Sequence, residues 1–188
     1  MKPWPLTIRV LHLGLALVVT IQLLTAMFID VELDHIVLTT KGLLFKIHEY
    51  SGLTALIITI LHIVIILMKP ERCVAYFPWS QQGRLLVGRE VKDLTSGNLP
   101  KGGYLSGGLV GFVHGLGLLA VLAAASLGAV VFIALQQYPA SAGFIKPAVE
   151  SHQVLASLVV VYWLAHVGMG LWHFLTGDRE IMQIFSRQ

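Results

Sequence analysis

Scanned for polar interruptions, the chain shows four long apolar runs at 8–29, 44–68, 107–135 and 150–175. Each is long enough to cross a bilayer, whose apolar core takes roughly 20 helical residues. The runs are apolar on nearly every position, whereas the strands of a membrane barrel alternate, so the pattern predicts helices. Four such helices in a single domain, 1–188, predict an all-α integral membrane four-helix bundle. Lys2 and Arg9 ahead of the first run mimic a secretion signal, but the run exceeds a signal core and has no clear small-x-small cleavage site. It is read as a retained span.

Between spans two and three the pattern changes. Residues 80–95 set Leu85, Leu86, Val91 and Leu94 among Arg84, Arg89, Glu90, Lys92 and Asp93, which predicts a short amphipathic helix on the membrane surface. Glycines over 97–108 then interrupt regular structure. Gly107, Gly111 and Gly115 recur at every fourth position and predict close helix packing at the start of the third span.

Composition agrees with a lipid-embedded chain. Its 188 residues are 56% hydrophobic and 12% charged, and the mean hydropathy is +0.78; soluble domains carry about 25% charged residues. Of the 13 Lys and Arg, Lys2, Arg9, Lys69, Arg72, Arg84, Arg89, Lys92, Lys101, Arg179 and Arg187 flank one side of the spans. Only Lys41, Lys46 and Lys146 lie on the other. By the excess of basic residues on inner loops, both termini and the middle connection face the cytoplasm. The net charge of +3 reflects this asymmetry and forms no stripe for nucleic acid. Trp4, Trp79 and Trp172 fall at expected inner boundaries, where interfacial indoles sit. Trp163, Met27, Met68 and Met169 read as packing or lipid contacts.

Histidine carries the candidate chemistry. The lone Cys73 excludes an internal disulfide and any cysteine-based metal cluster. Of eight histidines, six lie within or at the ends of spans: His12, His48, His62, His114, His152 and His166. Such polar groups are costly in lipid and call for a shared cause. His48 to His62 and His152 to His166 are both fourteen residues. That is about 21 Å of helix rise on nearly one face. Spans two and four both start outside, so His48 and His152 share an outer depth, and His62 and His166 an inner one. His12, on a span that starts inside, also falls at the inner depth. Two tiers of paired imidazoles match two stacked haems with histidine on both axial faces, an arrangement suited to electron transfer. A carboxylate di-metal site lacks its Glu-x-x-His ligands, and a zinc site needs four ligands at one depth. A histidine-lined proton-coupled transporter without haem is the remaining rival.

These residues resemble the bacterial di-haem cytochrome b561 superfamily, including the b-type membrane subunits of formate dehydrogenase and nickel–iron hydrogenase. The carriers are Arg9-x-x-His12, His48-x-x-x-Gly52 and the His152/His166 pair, across nearly the whole chain. The resemblance implies two haem b groups, with His48 and His152 on the outer iron and His12 and His166 on the inner one. It implies electron transfer between a periplasmic dehydrogenase, hydrogenase or c-type cytochrome and the quinone pool, in the bacterial inner membrane. Leu13 departs from relatives that have an aromatic residue after the first-span histidine. His62 also departs, since some relatives carry arginine there. Spacing alone equally permits His62 as partner of His166, as in the cytochrome b of quinol–cytochrome c oxidoreductase, whose ligands all come from two helices. Arg9, His62, His114 and His173 are candidate inner contacts to a haem propionate or to quinone. His35 lies in an acidic outer connection and reads as surface. A stand-alone superoxide:quinone type of oxidoreductase is the functional alternative to an electron-transfer subunit. No nucleotide-binding motif is visible.

Overall fold

The computed structural model describes residues 5–29, 42–98, 107–139 and 141–176. Among these residues all regular structure is helical: α1 (Leu6–Ala26), α2 (Leu43–Leu67), α3 (Pro70–Tyr76), α4 (Gln81–Thr95), α5 (Gly108–Gln137) and α6 (Ile145–Leu175). The four long helices, α1, α2, α5 and α6, coincide with the predicted spans and have 21, 25, 30 and 31 residues. At about 1.5 Å rise per residue each covers a hydrocarbon core of about 30 Å. Leu17, Ile57, Val130 and Val161 point out of the bundle, Val161 with 66% of its surface exposed. Such a surface suits lipid as solvent, and the chain is a multi-pass membrane protein.

Proline and glycine punctuate the connection between α2 and α5, at the end of the bundle read as inner from its excess of basic residues. Pro70 pushes Lys69 into extended backbone, ending α2, and then occupies the first turn of α3, where its missing N–H costs nothing. Ser80 caps α4, its Oγ accepting from the Gly83 N–H at 3.0 Å. Gly107 and Gly108 enter α5 with φ of 68° and 63°, a region side chains disfavour. The Glu90 carboxylate of α4 then accepts from the Leu109 N–H at 2.5 Å. It thereby satisfies an end-of-helix donor and sets negative charge at the positive end of the helix dipole. The predicted amphipathic segment is thus helical, and it packs against the start of α5.

The long helices form a row in which α1 packs on α2, α2 on α5 and α5 on α6. Among the described residues α6 makes no comparably close backbone packing with α1 or α2. Side chains of α1 and α6 still share one buried cluster, with Val19 and Val159 in it. Midway along the bundle, Val19, Val121, Ala124 and Val159 form a buried layer, with Leu15, Leu155 and Trp163 against it. Toward the inner end Ile66, Ala75, Tyr76 and Leu118 form a second cluster. The glycine repeat of α5 serves this second cluster. A side chain at Gly111 would strike the Ala75 carbonyl, and one at Gly115 the Tyr76 carbonyl, so both glycines admit the α3 backbone.

Candidate functional site

Val159 lies seven residues from both His152 and His166, so the apolar layer divides the histidines into two tiers, one toward each end of the bundle. In the outer tier the rings of His48 and His152 face each other with centroids 6.3 Å apart and planes at 82°. In the inner tier His12 and His166 stand 6.0 Å apart with planes at 57°. Each pair spans the gap between α6 and a helix on the far side.

Hydrogen bonds orient the outer rings. His152 Nδ1 lies 2.9 Å from the Ala124 carbonyl, which can only accept, so Nδ1 carries the proton and Nε2 keeps its lone pair. His48 Nδ1 lies 3.0 Å from Thr25 Oγ1. Thr25 Oγ1 donates within its own helix, where the Ile21 and Gln22 carbonyls lie at 2.8 and 3.0 Å, and with its one proton so used Thr25 accepts from His48 and leaves His48 Nε2 bare as well. The Gln22 amide fastens α1 to the same turn of α2, donating to the His48 carbonyl and, at 2.6 Å, to Ser51 Oγ. Gly128 makes room for the His152 ring, since a Cβ there would lie 2.9 Å from its Cε1.

The inner tier is richer. The His114 ring meets His166 edge-on at 4.8 Å, and its Nδ1–H donates to the Val110 carbonyl at 2.7 Å. Tyr162 stacks on His166 at 5.4 Å and 18°. Tyr76, carried inward by α3, stands 6.5 Å from His62 and 6.4 Å from His114. His62 is 3% exposed, and neither of its ring nitrogens has a hydrogen-bond partner among the described residues. His62 makes no ring contact with His166 there; its aromatic neighbour is Tyr76. Arg9 is half-buried one turn before His12, and His173 is half-buried near the end of α6. His35 and Trp4 lie outside the described residues. Trp79 and Trp172 are exposed, and Trp163 packs on the central layer.

The arrangement suits a flat metal-bearing group. A metal–imidazole bond of about 2 Å on each side, with about 1.1 Å from ring nitrogen to ring centre, places two axial imidazole centres about 6 Å apart. Both tiers meet that spacing. The Nδ1–H donors of His48 and His152 are anchored by protein acceptors, the support that ligating histidines need. Among the described residues no three His, Cys, Asp or Glu side chains converge as a site for a bare ion. Residues 3–187 match the family model described as prokaryotic cytochrome b561. The chain belongs to the prokaryotic cytochrome b561 family. Membership implies haem b and electron transfer, and the two imidazole pairs are chemically fit to hold the haem. Comparison with curated proteins and with solved structures returned no significant match.

Periodicity brought out His48, His62, His152 and His166 of this b561-family chain but not Thr25, Tyr76, Gly128 or Tyr162. One signal existed for Tyr162, which precedes His166 by four residues and so shares its helix face. The others act across helices, where no spacing rule applies.

Proposed function

We propose that this protein is a di-haem b cytochrome that passes electrons across the bacterial inner membrane between a periplasmic redox partner and the quinone pool. His48 and His152 hold the outer haem, and His12 and His166 the inner one. The observation that carries the reading is the pair of facing imidazoles in each tier, at 6.3 and 6.0 Å. Haem b bound there would supply an iron that exchanges single electrons.

The rest is the work of the chain. Thr25 and the Ala124 carbonyl fix the outer tautomers, leaving on Nε2 of both histidines the lone pair that would ligate. Val19, Val121, Ala124 and Val159 keep water out between the tiers. Tyr76 and the α3 backbone close over the inner tier. A buried imidazole without partners carries a desolvation cost, and His62 is assigned to bind an acceptor oxygen, from a haem propionate or a quinone carbonyl. Arg9, His114 and His173 are assigned to the same inner, quinone-facing end.

The test is haem content. Purified protein should show sharp dithionite-reduced bands and two haems per chain by pyridine haemochrome, falling to one in His48→Ala and in His12→Ala but remaining two in His62→Ala. An uncoloured preparation overturns the proposal and favours a histidine-lined transporter. Loss of haem in His62→Ala with retention in His12→Ala reassigns the inner ligand. Quinol reduction that requires a periplasmic subunit marks a complex subunit; reduction without one marks a self-sufficient oxidoreductase.

A further inference from the structure

His152 and His166, the two histidines of α6, are oriented by different means. His152 is tethered by a hydrogen bond to the Ala124 carbonyl, whereas His166 makes no hydrogen bond among the described residues and is confined by rings. Tyr162, one turn earlier on α6, lies nearly parallel to it at 5.4 Å and 18°. His114 abuts it edge-on at 4.8 Å and 90°. Tyr162 is itself held in a slot, because a Cβ built at Gly117 would fall onto the tyrosine ring. Only glycine at position 117 leaves that slot open. The contacts thus run from the α5 backbone through an aromatic ring to the imidazole.

We infer that Gly117 and Tyr162 are positioning residues that set the plane of the His166 imidazole, and with it the electronic state of the inner haem. The inference rests on the di-haem reading above. The orientation of an axial imidazole about its bond to iron determines how strongly it splits the metal d orbitals, which the low-spin ferric g-values report. Steric confinement takes the place of the hydrogen-bond tether used in the outer tier, so a packing change at Gly117 or Tyr162 should reach the inner iron and leave the outer one untouched.

The experiment is low-temperature electron paramagnetic resonance of oxidised, purified full-length protein, with haem counted by pyridine haemochrome. Two low-spin signals are expected in the wild type, the inner one being that which disappears in His12→Ala; failure to find them sinks the di-haem reading before the present inference is reached. Tyr162→Ala and Gly117→Ala should shift or broaden the inner signal while the outer signal keeps its g-values, and Tyr162→Phe should restore the wild-type spectrum. If Tyr162→Ala sheds the inner haem, restoration of that haem and its signal by Tyr162→Phe still supports the inference. Unchanged inner signals in both Tyr162→Ala and Gly117→Ala, or changes confined to the outer signal, overturn it.

Discussion

Thr25 illustrates how much a side chain without redox chemistry of its own can control. Its hydroxyl proton is used on the carbonyls of its own helix, Ile21 and Gln22, so its oxygen accepts from His48 and raises the electron density of that ring. Thr25→Val keeps the shape but removes the acceptor, leaving a partly buried N–H at a cost of about 1–3 kcal/mol. Outer haem affinity should fall by about 10- to 100-fold, the usual effect of deleting such a support. A less basic imidazole favours the ferric state less, so the outer midpoint potential should rise; a redox titration in which it is unchanged or falls contradicts the assignment. Gly128→Leu should act more bluntly, because its Cβ alone would crowd His152, and haem counting should show one group lost. The shared face of His48 and His62, and that of His152 and His166, were legible because fourteen residues is a whole number of turns to within about 40°. Thr25 and Gly128 were not legible, since their roles depend on which helix lies opposite and in what register.

At the scale of elements, the amphipathic α4 was readable from its mixture of leucines and charges, and its start at Ser80 follows from the cap. The helix before it was not. Seven residues between Lys69 and Phe77 are too few to show a period, and only Pro70 hinted at a boundary. Yet α3 explains the glycine repeat, which serves the approach of the α3 backbone to α5. Gly115→Leu should therefore force α3 outward, with an overpacking cost of about 1–3 kcal/mol. Cys73, half-buried on α3, is the chain's one cysteine and reports this directly. Its labelling by a maleimide should accelerate in Gly115→Leu, and an unchanged rate would show that α3 does not depend on that glycine.

Over the whole molecule, hydropathy alone gave the four spans, because lipid demands long uninterrupted helices whatever their partners. Which helices pack together was beyond the sequence. The row α1, α2, α5, α6 depends on glycine slots and on Gln22 joining α1 to α2. That row places the two imidazole pairs in series along the membrane normal, about 21 Å apart by helix rise. Conductors in series fail together when either is cut. Protein should therefore be reconstituted in vesicles with ferricyanide trapped inside and a membrane-impermeant reductant added outside. Wild type should reduce the trapped ferricyanide, while His48→Ala and His166→Ala, each with one haem left, should both fall to the rate of empty vesicles. The double variant should be no slower than either single one. Substantial transfer in a single-tier variant would mean that electrons bypass that tier.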